Sequence, residues 1–503
     1  MTDDLPDLLA RRAELSPDSV ALEEVASGRT FTYAQLDERA GRAAALMRGR
    51  GVGEGDRVAI LCRNRAAFFE LLFACARIGA ILVPLNWRMP AAELDALIEH
   101  CEPSLLFHGK EDEAVAARLE RAPRTIALDQ DYEQLVRASE PLPAAERWPR
   151  DGIWYLLYTS GTTGSPKGVI YTYGMAVANH LNIGTAIDLT AQDSTLNFLP
   201  LFHTAGINLH SLPTLLQGGR VIVLESFEPE AVVELLEARR IDTFFAVPTV
   251  YQALLDHPRF AEAPLGHVRH WGCGGAPLPD VLVERCRSLG VRVCNGMGMT
   301  ETGPTALLAA PADAWDRIGS VGKPQLLVRA RIVDESGRDV AAGETGELLF
   351  AGPAVTPGYW KDEAATRAAF TPDGWLRSGD LARRDADGFY WIAGRRKEMF
   401  ISGGENVYPA EVENVLAAHP AVAEAAVVAV PDPRWGEAGR AFIQLASGEA
   451  APDPADLHAF CRARLAAYKV PRAFDFVPDL PRTAAGKVQK HLLPSEAWQA
   501  AAE

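Results

Sequence analysis

The chain has no basic run, and its 50 Lys and Arg are outnumbered by 66 Asp and Glu, for a formal net charge of −16. A general nucleic-acid binder needs a basic face, so that class is set aside. No run of about 18 uninterrupted apolar residues occurs, and no membrane span is expected. The start, Met1-Thr2-Asp3-Asp4-Leu5-Pro6, is acidic and lacks an apolar stretch, which speaks against a signal peptide. The seven cysteines form no Cys-x-x-Cys pair. That scarcity argues against a zinc site or a disulfide frame and predicts reduced, mostly buried thiols in the cytoplasm. Internal repeats and low-complexity tracts are absent as well.

What is present is an ordinary globular composition, with 48% apolar and 23% charged residues over 503 positions. That length predicts two or three domains. The first part alternates short β-like runs with helical stretches. Examples are Arg57–Cys62, then Ala66–Ile78, then Ala80–Pro84, with further runs at Leu105–Phe107 and Thr125–Leu128. Val221–Leu224, Pro229–Arg239 and Thr243–Val247 continue the pattern, which predicts parallel sheets covered by helices. Between Val328 and Phe350 the texture changes to short runs broken by Gly-containing turns, as in antiparallel hairpins. After Gly394 comes the basic segment Arg395-Arg396-Lys397. A small unit follows, with a helix expected from about Pro409 to Ala418 and a strand around Ala425–Val430.

The most informative stretch is Tyr158-Thr159-Ser160-Gly161-Thr162-Thr163-Gly164-Ser165-Pro166-Lys167-Gly168-Val169, which follows the strand-like run Trp154–Tyr158. Gly161 and Gly164 free backbone N–H groups to turn toward an anion. The hydroxyls add donors and Lys167 a point charge, an inventory suited to a polyphosphate. Taken alone, a short Gly/Ser/Thr cluster is more often a polar surface turn. The common nucleoside-triphosphatase loop requires glycine directly before its lysine, and Pro166 stands there instead. A second constellation is Gly296-Met297-Gly298-Met299-Thr300-Glu301-Thr302-Gly303. Its Glu301 is a hard oxygen ligand suited to Mg²⁺ beside phosphates. The third is Asp380, on a tight turn in Gly374–Asp380, together with Gly394-Arg395-Arg396-Lys397. Lys487 in Pro481-Arg482-Thr483-Ala484-Ala485-Gly486-Lys487 is the fourth. Out of context, Asp380 would be a solvated turn residue, Lys487 a solvated lysine and His203 a core or surface histidine.

Together these motifs resemble the adenylate-forming enzymes: acyl-CoA synthetases, peptide-synthetase adenylation domains and luciferases. The resemblance extends over most of the chain and is strongest toward acyl- and aryl-CoA ligases. It implies a large N-terminal domain of two α/β sheets and a small β-barrel, residues 1–394. A mobile α+β C-terminal domain, residues 395–503, would turn about a hinge near Lys397. ATP, Mg²⁺ and coenzyme A are the implied cofactors. Thr159, Ser160, Gly161, Thr162, Thr163, Gly164 and Lys167 would hold phosphates, and Asp380 with Arg395 the ribose. Glu301 would position Mg²⁺ and Thr300 would face the adenylate phosphate. Lys487 would be the catalytic lysine of adenylation, where two anions must approach each other. Gly403 and Gly404 would line the pantetheine tunnel.

Within the same resemblance His203 stands at the mouth of the carboxylate pocket. Ala205, Gly206, Ile207, Gly272, Gly274, Gly275 and Ala276 would form small apolar walls, suited to a bulky hydrophobic acid. No aspartate is evident to anchor an α-ammonium group. Met297 replaces the aromatic ring on which relatives stack adenine. That departure keeps open an enzyme limited to thioesterification of a premade acyl-adenylate. Loading of a carrier protein and a non-catalytic ligand-binding protein are the other readings, although carrier-loading relatives usually have aspartate where Lys397 stands.

Overall fold

The computed structural model describes residues 4–159, 167–482 and 487–494. Its centre is the helix Ala66–Ile78, all 13 residues of which are buried. A helix apolar all round cannot lie on a surface. This one is packed between two sheets, since a single apolar cluster joins it to Val58, Leu82 and Leu105 on one side and to Leu22, Val221 and Val223 on the other. Its two buried charges are matched. Glu70 receives Arg39 and the Tyr132 hydroxyl, and Arg77 pairs with Asp7 and Asp37.

The first sheet has six strands in the order Lys167–Thr172, Ile153–Thr159, Ile81–Pro84, Arg57–Leu61, Leu105–His108, Arg124–Ala127. The last five are parallel, joined by helical crossovers, and only the Ile153–Thr159/Lys167–Thr172 hairpin is antiparallel. The second sheet has nine strands. Its centre is the parallel set Val293–Met297, His270–Cys273, Thr243–Ala246, Ser194–Asn197 and Arg220–Val223. Where the small barrel is expected lies a four-stranded antiparallel meander of Arg329–Val333, Thr345–Ala351, Leu376–Arg384 and Tyr390–Arg395.

Lys397 is exposed in the turn that follows the meander. Beyond it a five-stranded sheet with the helices Pro409–Ala417 and Pro454–Arg462 builds its own core around Phe400, Val412, Val427, Ile443 and Leu457. This unit touches the larger one through a reciprocal pair of hydrogen bonds between Asn414 and Asp280, both 3.2 Å. Among the described residues no helix is long and apolar enough to cross a membrane.

Candidate active site

The phosphate-loop candidates Ser160, Gly161, Thr162, Thr163 and Gly164 lie outside the described residues. Their flanks do not. Thr159 and Lys167 are direct cross-strand partners in the hairpin, so the chain leaves and re-enters the sheet at one point. Lys167 points its ammonium at the Tyr359 ring, 5.2 Å from the centroid. The Tyr359 hydroxyl in turn donates to Glu301 Oε1 at 2.8 Å. Tyr359 is fixed beside the hairpin because the Trp360 N–H donates to the Gly168 carbonyl at 2.8 Å.

Thr300–Thr302 is a single 3₁₀ turn at the end of the strand Val293–Met297. Close backbone approach explains Gly298, where a Cβ would stand 2.1 Å from the Pro304 carbonyl oxygen. The turn is tied to the pocket wall by buried hydroxyls. Tyr171 donates to the Thr300 carbonyl, and its oxygen lies 2.6 Å from Thr204 Oγ1. The Asn208 side chain donates to Thr204 at 3.2 Å and accepts from the Tyr155 hydroxyl at 2.6 Å. Met297 is half-buried and packs against the cluster of Ala306, Leu307 and Val321.

Asp380 and Arg395 face each other across the meander, and Arg395 Nε lies 2.9 Å from Asp380 Oδ1. Lys487 is brought into the same place, because its ammonium interacts electrostatically with Arg395, Asp380, Glu301 and His203. Burial and the Arg395 guanidinium hold the Lys487 pKa below the ordinary lysine value, while Asp380 and Glu301 act in the other direction. Burial lifts the Asp380 carboxyl above its usual range despite the two cations. His203 is half-buried, and its Nδ1 accepts the Ala205 N–H at 3.3 Å. Burial, then the Lys487 charge, pushes its imidazole down to about 4, so it is neutral at physiological pH. Gly403 and Gly404 are exposed, in a left-handed turn with φ of 62° and 89°. A Cβ on Gly403 would lie 2.4 Å from the Trp435 ring.

The pocket-wall residues come together along the strand His270–Cys273 and the π-helical turn Ala205–Leu209. The small residues do not leave open room, however. The space a Cβ would take on Gly272 is filled by Phe245, 2.5 Å away. On Gly274 it is filled by the Gly296 carbonyl at 2.8 Å, and on Gly206 by the Pro200 carbonyl at 2.3 Å. Gly275, with φ of 85°, and Ala276 stand at the more open end. The wall is therefore set by Phe245 rather than by the glycines. Phe245, Tyr359, Tyr171 and Thr204 were not signalled by motif spacing. Only the glycine-flanked Gly358-Tyr359-Trp360 offered a local hint.

A single carboxylate with one oxygen already hydrogen-bonded, next to a buried threonine, is a donor set that fits Mg²⁺. That ion keeps several waters and takes its remaining ligands from phosphates.

Comparison with known proteins agrees with this geometry. Residues 9–360 match the family model described as AMP-binding enzyme, and residues 411–487 match the AMP-binding enzyme C-terminal domain. A feruloyl-CoA synthase of Amycolatopsis sp is 43% identical over 485 residues, covering 95% of this chain and 96% of that protein. The o-succinylbenzoate CoA synthetase of Bacillus subtilis, solved with the acyl-adenylate OSB-AMP, superposes with a TM-score of 0.88. It is 32% identical over 97% of this chain and 98% of that one. The ATP-bound MatB of Rhodopseudomonas palustris gives a TM-score of 0.88 at 32% identity, with 98% of both chains covered. The chain thus belongs to the AMP-binding, adenylate-forming enzyme family, and within it is most similar to the acyl- and aryl-CoA ligases.

Proposed function

We propose that this enzyme is an ATP-dependent ligase that joins a largely apolar carboxylic acid to coenzyme A and releases AMP and pyrophosphate. The observation that carries the reading is that the Lys487 ammonium lies within electrostatic reach of Asp380, Arg395, Glu301 and His203. Lys487 comes from the far end of the chain, and although a buried ammonium needs carboxylates such as Asp380 and Glu301, it has no structural need of a second cation, Arg395, beside it. It has a chemical one. In the first step a carboxylate oxygen of the acid attacks the α-phosphorus of ATP, and the bond to pyrophosphate breaks. Negative charge gathers on the α-phosphate as a second anion approaches. A preorganised cation at that point lowers the barrier.

Asp380 and Arg395 would hold the ribose, leaving the adenine beside Met297. Lys167, pinned over Tyr359, would meet the phosphates leaving the loop. Thr300 would face the adenylate phosphate, and Glu301 would hold Mg²⁺, which when bound with the triphosphate neutralises charge on the phosphate oxygens. Neutral His203 would stand at the entrance of the acid without repelling it or trapping it as an ion pair.

In the second step the CoA thiol would attack the acyl carbon, AMP would leave and the thiol proton would pass to solvent. Lys487 has no part in it. The exposed Gly403–Gly404 turn supports a rearrangement of residues 395–503 about Lys397 between the steps, with residues 1–394 as the fixed body. The seven unpaired, buried cysteines and the need for ATP and CoA favour the cytoplasm.

The test is thioester formation from ATP, Mg²⁺ and a panel of aryl and alkyl acids, with CoA or a carrier protein as acceptor and with premade acyl-AMP in parallel. CoA thioester from ATP plus acid is expected. Transfer to a carrier alone, or turnover of premade acyl-AMP alone, would overturn the reading.

A further inference from the structure

Lys490 stands three residues beyond Lys487, and its ammonium joins two carboxylates, Glu413 Oε1 at 2.7 Å and Glu398 Oε2 at 3.1 Å. Neither partner is a neighbour in sequence. Glu413 lies on the helix Pro409–Ala417, and its Oε1 also accepts the Val427 N–H at 2.7 Å, which fixes it to the sheet beside that helix. Glu398 lies in the turn after the meander, where its own N–H donates to the Arg395 carbonyl at 3.0 Å. The Glu398 charge also reaches Asp380. Lys490 therefore ties the segment that carries Lys487 to the turn that carries Arg395, the two cations on either side of Asp380.

The tie is largely covered, with the Lys490 side chain 17% and the Glu413 side chain 15% exposed. Burial by itself would lower the Lys490 pKa, yet the two carboxylates outweigh it and hold the ammonium above the ordinary lysine value. Burial lifts the Glu413 carboxyl above its usual range, with Lys490 and the Val427 N–H acting the other way. Taking such charges out of water offsets most of their attraction, so a covered ion pair is weak evidence for stability. Nor does the segment depend on it for closure. Arg482 and Val488 are antiparallel partners, the Gln489 N–H donates to the Pro481 carbonyl at 2.7 Å, and Arg482 pairs with Glu424. Val488 and Leu493 pack with Ala426 and Phe442. Those contacts seat the segment on the C-terminal sheet, and Lys490 adds the reach from there to the turn of Arg395.

We propose that Lys490 is a positioning residue for acyl-adenylate formation: through Glu398 and Glu413 it sets where Lys487 stands relative to Asp380 and Arg395. It also neutralises Glu398, whose carboxylate would otherwise add a negative charge near Asp380 and the incoming triphosphate. Glu398, Glu413 and Lys490 all follow Lys397, so the tie turns with the C-terminal unit and returns Lys487 to the same place in each cycle. The inference rests on the ligase reading and on the use of Lys487 in the first step alone.

The test measures both half-reactions with the panel acid that the wild-type enzyme turns over fastest: acyl-AMP formation by ATP–pyrophosphate exchange, and thioester formation from the matching premade acyl-AMP and CoA. Lys490→Met should lower kcat of acyl-AMP formation by at least about tenfold and up to roughly 100-fold, the cost of an ångström-scale misplacement. The KM for ATP should move less, and thioester formation should stay within a few-fold of wild type. Lys490→Arg, whose guanidinium can still span both carboxylates, should recover most of the loss. The same split is expected in Glu398→Ala, which keeps the Lys490–Glu413 pair and decides the question if Lys490→Met fails to fold. A role in folding alone would lower both half-reactions together, since both use the C-terminal unit. That result, or two unchanged half-reactions, overturns the inference while the ligase reading stands. A wild-type enzyme that forms no acyl-AMP from any acid overturns the ligase reading itself, and the inference with it.

Discussion

Asp380 and Arg395 are cross-strand partners whose side chains meet at 2.9 Å, and the Lys487 ammonium lies in the field of both. The pair holds one negative charge between two positive ones. Asp380→Ala would remove the ribose acceptor and leave Arg395 and Lys487 to repel each other. Truncating one partner of a buried charge pair costs about 2 kcal/mol or more. ATP–pyrophosphate exchange should therefore fall by at least about 30-fold, the same cost expressed as a rate. An exchange rate within a few-fold of wild type would show that Asp380 holds neither ligand nor lysine.

Tyr359 acts on the site through Glu301. Tyr359→Phe deletes the 2.8 Å hydrogen bond to Oε1 and keeps the ring under Lys167. A hydrogen bond to a charged group is worth about 1.5–3 kcal/mol. Acyl-adenylate formation should drop by roughly tenfold or more and need more Mg²⁺ for half-maximal rate, with the melting temperature little changed. A Mg²⁺ titration of the variant reads this directly, and an unmoved Mg²⁺ midpoint would separate Tyr359 from Glu301.

The lowered pKa of Lys487 has a kinetic sign. The ammonium is fully charged at low pH and loses its charge as pH rises through a value below that of an ordinary lysine. Adenylation should therefore have an alkaline limb that thioesterification of supplied acyl-AMP lacks. Lys487→Arg, which stays charged throughout, should move that limb upward whatever it does to the rate. Matching limbs in the two half-reactions would contradict the assignment.

Met297 ends its strand half-buried, beside the turn that carries Thr300 and Glu301. Met297→Tyr should tighten ATP binding, because a ring offers adenine a flat partner. Base stacking on aromatic side chains is worth about 1–3 kcal/mol, and replacing a methionine should recover part of that. Calorimetry with ATP and Mg²⁺ measures it. Unchanged or weaker binding would mean that adenine lies elsewhere.

Local periodicity made much of the fold legible. Ala66–Ile78 reads as an apolar helix and is one. Arg57–Leu61, Ile81–Pro84 and Leu105–His108 follow the expected alternation and do form a parallel sheet. Pro409–Ala417 and Val422–Asp432 lie where a small C-terminal unit is expected. Strand order was not legible, because pairing such as Lys167–Thr172 on Ile153–Thr159 at the edge of a parallel sheet depends on packing rather than on spacing. Nor were the supports of the site. Tyr359 and Glu301 are 58 positions apart. Gly272 reads as room for a ligand and is in fact room for Phe245. Small residues in a sequence say that something comes close, without saying whether it is substrate or protein.

If the two half-reactions use two different parts of the C-terminal unit, measuring both in Lys487→Ala and in Gly404→Leu separates them. At Gly404 φ is 89° and nothing lies within 4 Å of a Cβ, so a leucine meets backbone strain but no clash in this conformation. Lys487→Ala is expected to lose acyl-AMP formation and keep thioester formation from supplied acyl-AMP, whereas Gly404→Leu should still release pyrophosphate and no longer make thioester. Equal loss of both half-reactions in each folded variant would contradict that division.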